Sequence, residues 1–194
     1  MKALQFESEG TKYNINYDCP EQEINDQINE IFSQKCYELS KRGKDLVVLD
    51  VGCNIGAFAL WIYPHASHIY AVDCVDEHIA NLRKTVTDSG LKKIKAFTIK
   101  MAQEDGAGRD GVPEFSVNGF MSGNAIEKVD ILKLDVEGDE LGIINAADFP
   151  VDRINTIVGE HHYDGEKLSQ FRDRLTELGF KYSEYPNSHF LARK

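Results

Sequence analysis

The sequence predicts a single doubly wound α/β domain, and three observations carry that expectation. Strand-sized apolar runs alternate with amphipathic helical stretches from Leu46 to Leu178. The first of those runs leads straight into a turn bearing Gly52 and Gly56 that opens a helix. The chain has 194 residues, 42% of them apolar and 28% charged, which suits one core and is too short for two ordinary domains. Strands separated by helices imply a parallel sheet with right-handed crossovers.

Taken in chain order, the first element is a helix from Glu21 to Arg42, with Ile24, Ile28, Ile31, Phe32 and Leu39 on one stripe and Gly43 as its stop. Residues 1–43 are thus expected to pack as an N-terminal segment on a core formed by residues 44–194. Leu46 to Val51 is apolar almost throughout, as a strand buried on both faces is. A helix from Gly56 to Tyr63 stops at Pro64. A strand over His68–Val72, a helix over Asp76–Ser89 and a strand over Ile94–Lys100 follow. Ile131–Val136 and Ile154–Gly159 are further buried strands around a helix that starts near Asp139, and Gly165–Leu178 is amphipathic. Phe180–Tyr185 and His189–Ala192 flank Pro186-Asn187-Ser188, which reads as a hairpin that adds one antiparallel strand at the sheet's edge. Between Ala102 and Val129, five glycines and a proline dissolve the pattern into a loop or short hairpin on the substrate side.

Bulk properties exclude several functions. A formal net charge of −10 argues against a phosphate-backbone partner, so no nucleic acid is expected. No run is long enough for a membrane span, and Met1 to Gly10 lacks a signal pattern. Cys19, Cys36, Cys53 and Cys74 show no metal or redox spacing, so they read as reduced, mostly buried thiols of a cytoplasmic protein.

Four clusters carry chemistry. Asp50-Val51-Gly52-Cys53-Asn54-Ile55-Gly56 joins a strand to a helix as Asp-x-Gly-x-x-x-Gly. It lacks the third glycine of a dinucleotide loop and the Gly-Lys-Ser/Thr of a phosphate loop. Its acidic residue suits a cationic ligand, and S-adenosylmethionine carries both an ammonium and a sulfonium. Asp73 ends the second strand, where a carboxylate can accept both ribose hydroxyls, with Cys74 next to it. Asp135 and Glu137 lie in Val129–Glu140, and would face the glycine loop if that strand joins the far side of the first. Asp139 and Glu140 fit a first helical turn. Glu160-His161-His162 ends the next strand and offers a histidine for proton transfer.

With these residues in view, the sequence resembles the FkbM family of S-adenosylmethionine-dependent methyltransferases. Val48–Gly56, Asp130–Leu141 and Ile157–His161 carry the likeness, and the Lys-x-Asp-x-Glu-Gly-x-Glu core from Lys133 to Glu140 is the specific part. The resemblance implies a Rossmann-like class I methyltransferase fold and O-methylation of a sugar, polyketide or related metabolite. Two departures touch the substrate side more than the cofactor side. Asp73-Cys74 stands where the family more often has Glu-Pro, and the segment before Val129 shows no helix leading into the strand.

The expected cofactor is thus S-adenosylmethionine, with S-adenosylhomocysteine as product, held by Asp50, Gly52, Cys53, Asn54, Gly56, Asp73, Cys74, Ala102 and Asp135. His161 is the first candidate base, followed by Asp135 and Glu137. A divalent metal on Asp135, Glu160 and His161 is an alternative that is not favoured, and a binding module without catalysis is another. The expected acceptor is a small molecule or glycan. The site is then covered by the Ala102–Glu127 loop, closed by a second subunit of a homo-oligomer, or left open.

Overall fold

The computed structural model describes residues 2–34, 37, 39, 43–108 and 111–194. A hairpin of β1 (Lys2–Ser8) and β2 (Thr11–Tyr17) comes first, then α1 (Glu21–Ile28). β3 (Leu46–Val51), α2 (Ala57–Ile62), β4 (Ala66–Asp73), α3 (Asp76–Asp88) and β5 (Ile94–Thr98) form the first half of the main sheet. A short parallel pair, β6 (Lys100–Met101) and β7 (Glu114–Phe115), leads into α4 (Val117–Gly123). The second half comprises β8 (Val129–Leu134), α5 (Glu140–Ile144), β9 (Ile154–Glu160), α6 (Gly165–Glu177), β10 (Lys181–Glu184) and β11 (His189–Arg193).

The seven-stranded sheet has the order β10-β11-β9-β8-β3-β4-β5. β3 pairs in parallel with both β4 and β8, so the chain reverses its direction of growth between β3 and β8, as the sequence implied. Ligands of open α/β sheets bind at such a switch point, beyond the carboxyl ends of the strands. β11 is antiparallel to both β9 and β10. It sits one position in from the edge, so the closing hairpin forms that end of the sheet. The reason is that Phe190 and Leu191 are buried and pair across to Gly159 and Val158, which leaves the more polar β10 outermost.

Strand alternation sorts the core into two layers. Val48 and Ile131 face a layer with Phe58, Leu60, Ile79 and Leu82 from α2 and α3. Leu49, Val51, Leu132 and Leu134 face the other, with Val117, Phe120, Ile143, Phe171 and Leu175 from α4, α5 and α6. Helices on both faces complete the doubly wound arrangement.

Three elements differ from the sequence reading. The β1–β2 hairpin was not anticipated; it packs on α3, with the Asn16 N–H donating to Thr85 Oγ1 at 2.8 Å and the Tyr13 hydroxyl to the Leu60 carbonyl at 3.0 Å. The expected helix Glu21–Arg42 is α-helical only to Ile28 and continues as a π-helical stretch, Asn29–Gln34, while its far end at Lys41 and Arg42 lies outside the described residues, as does Cys36. The loop before β8 does contain a helix, α4. Ser116 caps it by accepting from the Gly119 N–H at 2.9 Å, and Asp105 accepts from the Ser116 N–H at 2.7 Å. Two glycines inside α4 hide it from a propensity reading. Of the described cysteines only Cys53 is buried; Cys19 is half-buried at the rim of the α2–α3 core layer, and Cys74 is exposed at the end of β4. No helix among the described residues is long and apolar enough to cross a membrane.

Candidate active site

A cavity of about 250 Å³ opens where the sheet switches direction. Its floor is Val51, Gly52 and Val72; Asp73, Cys74, Val75 and His78 form one wall; Asp135, Val136, Glu137 and Asp139 form the other. Ile99, Lys100 and Met101 lie at its open end.

The glycine loop is held tightly. The N–H groups of Gly52 and Cys53 both donate to the Val72 carbonyl at 3.0 Å. Gly52 has φ +70, and a Cβ there would stand 1.8 Å from the Asp135 carbonyl oxygen. The loop can therefore pass over the end of β8 only with glycine at this position. Gly56 has φ +90 and packs where a Cβ would meet Leu82 at 2.4 Å, so it seats α2 against α3. Asn54 lines the cavity, whereas Cys53 is buried beneath the loop and Gly56 does not line the cavity.

Asp73 arrives where the sequence placed it, but its carboxylate already serves the loop. Oδ2 accepts from the Asn54 N–H at 2.8 Å and Oδ1 from the Val75 N–H at 2.8 Å, with His78 Nδ1 3.3 Å away. Burial works to raise its pKa, but the hydrogen bonds from His78, Val75 and Asn54 outweigh it and hold the acid below the usual carboxylate range. Oδ2, with the Asn54 N–H as its one donor, keeps a further lone pair for a ligand hydroxyl.

Asp50 does not reach the cavity. It is fully buried, and its cross-strand neighbour on β8 is Lys133. Lys133 Nζ lies 3.6 Å from Asp50 Oδ1 and 3.2 Å from Asp135 Oδ2, and donates to the Gly52 carbonyl at 2.6 Å. Burial alone would lower the pKa of Lys133, yet the Asp135 and Asp50 charges raise it, so it stays an ammonium. Burial pushes Asp50 up to about 6, with Lys133 pulling the other way. The acid that sequence reasoning aimed at a cationic ligand is thus spent on an internal lysine, which clamps the glycine loop to β8. Lys133 had no role in the sequence reading. Its signal was present: a lysine inside an apolar strand needs a buried partner.

The two histidines after β9 exchange roles relative to expectation. His161 follows the parity of Ile157 and turns into the core layer of α6, with its ring 6.2 Å from that of Phe171. It is buried, neither ring nitrogen is hydrogen-bonded, and Nε2 is 3.7 Å from Glu184 Oε1. His162 instead stands behind the crevice wall, against its lining residue Glu137. Its Nδ1 is 3.0 Å from Oε1 of the buried Glu140, and its Nε2 is 3.4 Å from Oε2 of the exposed Glu137. Donor atoms of Asp135, Glu137 and His162 lie within 4.8 Å of one another. Asp135 and Glu137 thus come close to His162, and not to His161, the first candidate base. Glu160 stays half-buried at the end of β9, outside that group, where burial and then the Asp135 charge raise its pKa.

Glu140 organises this wall. Its Oε1 also accepts from the Val136 and Gly138 N–H groups at 3.1 and 3.2 Å, in the turn where Glu137 takes a left-handed φ of 55. The Tyr37 hydroxyl donates to Asp135 Oδ2 at 3.4 Å, a contact no sequence signal announced. Lys100 pairs with Asp139 at 3.0 Å near the cavity mouth. Ala102 lies in a neighbouring hollow with Gln103 and Gly142 rather than in the main cavity, because its N–H is tied to the Phe115 carbonyl.

Residues 11–182 match the methyltransferase FkbM domain. The chain belongs to that family. Among curated proteins, this FkbM-domain chain is 34% identical over 65 residues to a protein described as an uncharacterized RNA methyltransferase from Staphylococcus aureus; the match spans 34% of this chain and 14% of that protein's length. Among solved structures, a 16S rRNA methyltransferase of T. thermophilus in complex with AdoMet and guanosine superposes with a TM-score of 0.60 at 13% identity, over 100% of this chain and 50% of that one. A precorrin-6y C5,15-methyltransferase from Geobacter metallireducens gives 0.57 at 13% identity, over 91% and 90%. These likenesses establish the Rossmann-like class I methyltransferase fold for the FkbM-domain chain.

Proposed function

We propose that this protein transfers a methyl group from S-adenosylmethionine to a hydroxyl oxygen of a small molecule or glycan. The observation that carries this reading is the juxtaposition of two unlike sets of residues across one crevice. On one side the glycine loop and Asp73 suit the adenosine and the cationic end of the cofactor; on the other Asp135 and Glu137 line the crevice and draw close to His162. In the reaction the hydroxyl oxygen forms a bond to the methyl carbon, the carbon–sulfur pair leaves with sulfur as a neutral thioether, and the hydroxyl proton passes to the convergent group. Holding the reacting atoms in line supplies several kcal/mol of the barrier, and proton removal about 10²–10⁴-fold in rate. His161 is not assigned this task, because its ring is enclosed by Phe171 and Glu184.

The relatives' names support a second reading, methylation of RNA. The charge of −10 and the acidic wall of the crevice weigh against it, since a phosphate backbone is attracted by a basic surface. The test is transfer of tritium-labelled methyl groups to a panel of glycans, hydroxylated metabolites and unmodified tRNA and rRNA. The expected result is label on a hydroxyl acceptor, lowered about 10²–10⁴-fold by His162→Ala and little changed by His161→Leu. Label on RNA alone would replace the acceptor class, and full activity of His162→Ala would remove that residue from the chemistry.

A further inference from the structure

The geometry points to a divalent-cation site formed by a carboxylate oxygen of Asp135, a carboxylate oxygen of Glu137 and Nε2 of His162. The inference rests on the transferase reading for its purpose, since the cation would sit beside the acceptor hydroxyl and raise its acidity, but the site itself stands on four separate observations.

The first is distance. Donor atoms of the three residues lie within 4.8 Å of one another. Divalent cations hold oxygen and imidazole donors at about 2.0–2.5 Å, so two donors of one ion stand no more than about 5 Å apart. The second is the orientation of the imidazole. A ligating histidine usually gives its other ring nitrogen to a carboxylate, which sets the tautomer and aims the free lone pair. Here Nδ1 is 3.0 Å from Oε1 of Glu140, a fully buried side chain, which leaves Nε2 facing Glu137 at 3.4 Å.

The third is charge. Asp50 and Asp135 share one ammonium, Lys133, at 3.6 and 3.2 Å, while Glu137 is paired only with His162 among the described residues. Glu140 has no Lys or Arg partner among the described residues, and its Oε2 is buried without a hydrogen bond. A buried carboxylate lacking a counter-charge is costly. A cation on the far nitrogen of His162 supplies that charge through the ring. The fourth is exposure: Glu137 is 88% exposed and Asp135 24%, so an ion has an entry path and room for solvent or acceptor oxygens. An imidazole beside two carboxylates selects ions of the Mn²⁺ or Co²⁺ kind over Mg²⁺, which prefers oxygen alone.

The experiment uses the full chain after chelator treatment, titrated with Mn²⁺ and followed by the resonance of the free ion. S-adenosylhomocysteine affinity is measured separately by calorimetry. The expected result is a single saturable Mn²⁺ per chain, weakened about tenfold or more by Glu137→Gln and by His162→Ala, with Mg²⁺ a poor competitor. Glu137 is exposed, so its variant keeps the fold, and an unchanged melting temperature in the absence of metal verifies that. Mn²⁺ should also raise the melting temperature of the parent protein and not of Glu137→Gln. No saturable binding below about 1 mM, or binding unchanged in both variants, overturns the inference. If that happens while S-adenosylhomocysteine still binds, the cation site falls and the transferase reading stands. Loss of S-adenosylhomocysteine binding by the parent protein strikes the transferase reading itself.

Discussion

At the ends of β3 and β4, polar groups are committed. Asp73 accepts two backbone N–H groups, Asp50 and Lys133 neutralise each other, and Gly52 touches the backbone of Asp135. At the ends of β8 and β9, the side chains of Asp135, Glu137 and His162 converge without closing on one another, and Glu137 is largely in solvent. The first region is rigid before any ligand arrives, which suits one invariant cofactor. The second fixes its histidine through Glu140 and leaves Glu137 open to solvent, which suits an acceptor or ion that completes the set.

The largest expected effect comes from breaking the rigid side. Gly52→Ala should cost about 3 kcal/mol or more, because the new Cβ meets backbone and φ is left-handed. A melting temperature near that of the parent protein would show that the loop yields. Lys133→Met should cost about 3–5 kcal/mol by leaving Asp50 as an unpaired buried acid, and Asp50→Leu in the same chain should recover most of it. Asp50 already titrates at about 6, because burial favours its neutral form. The folded Lys133→Met protein therefore gains by protonating it, so the deficit should be smaller at pH 5 than at pH 8 in denaturant titrations. A pH-independent deficit would place the cost elsewhere.

Asp73→Ala should weaken S-adenosylhomocysteine binding by about 1–3 kcal/mol through lost charge-assisted contacts, with some loss of stability because Asn54 and Val75 lose their acceptor. The smallest effect concerns the half-exposed His78. Its hydrogen bond to Asp73 raises its pKa, so its contribution is complete below its ordinary value of 6.5 and fades as pH rises through the raised one. Asp73 is lowered, so its contribution is complete above 3.8 and fades as pH falls through the lowered value. The pair should stabilise most between about pH 4 and 6.5, by no more than about 1 kcal/mol. His78→Ala should flatten that window.

The sheet order and the switch point were legible because the parallel strands are continuous apolar runs and the helices carry clear stops. The β1–β2 hairpin was missed although its signal was present: Thr11, Tyr13, Ile15 and Tyr17 alternate strictly with Lys12, Asn14 and Asn16, just after a turn at Glu9-Gly10. On the rigid side, the residue types named the loop but misassigned Asp50, whose partner comes from a strand 83 positions on. On the open side, His161 and His162 are adjacent and chemically identical. Only the continuation of strand parity past Glu160 separates the buried ring from the one behind the crevice wall.

The central claim is that the committed region is a cofactor cleft for S-adenosylmethionine. Calorimetry of the parent protein with S-adenosylhomocysteine, S-adenosylmethionine, NAD and NADP tests it directly. The account predicts one-to-one binding of the two sulfur ligands, weakened by Asp73→Ala, and no heat from either dinucleotide. Tight NAD binding, or no binding of S-adenosylhomocysteine, would contradict it.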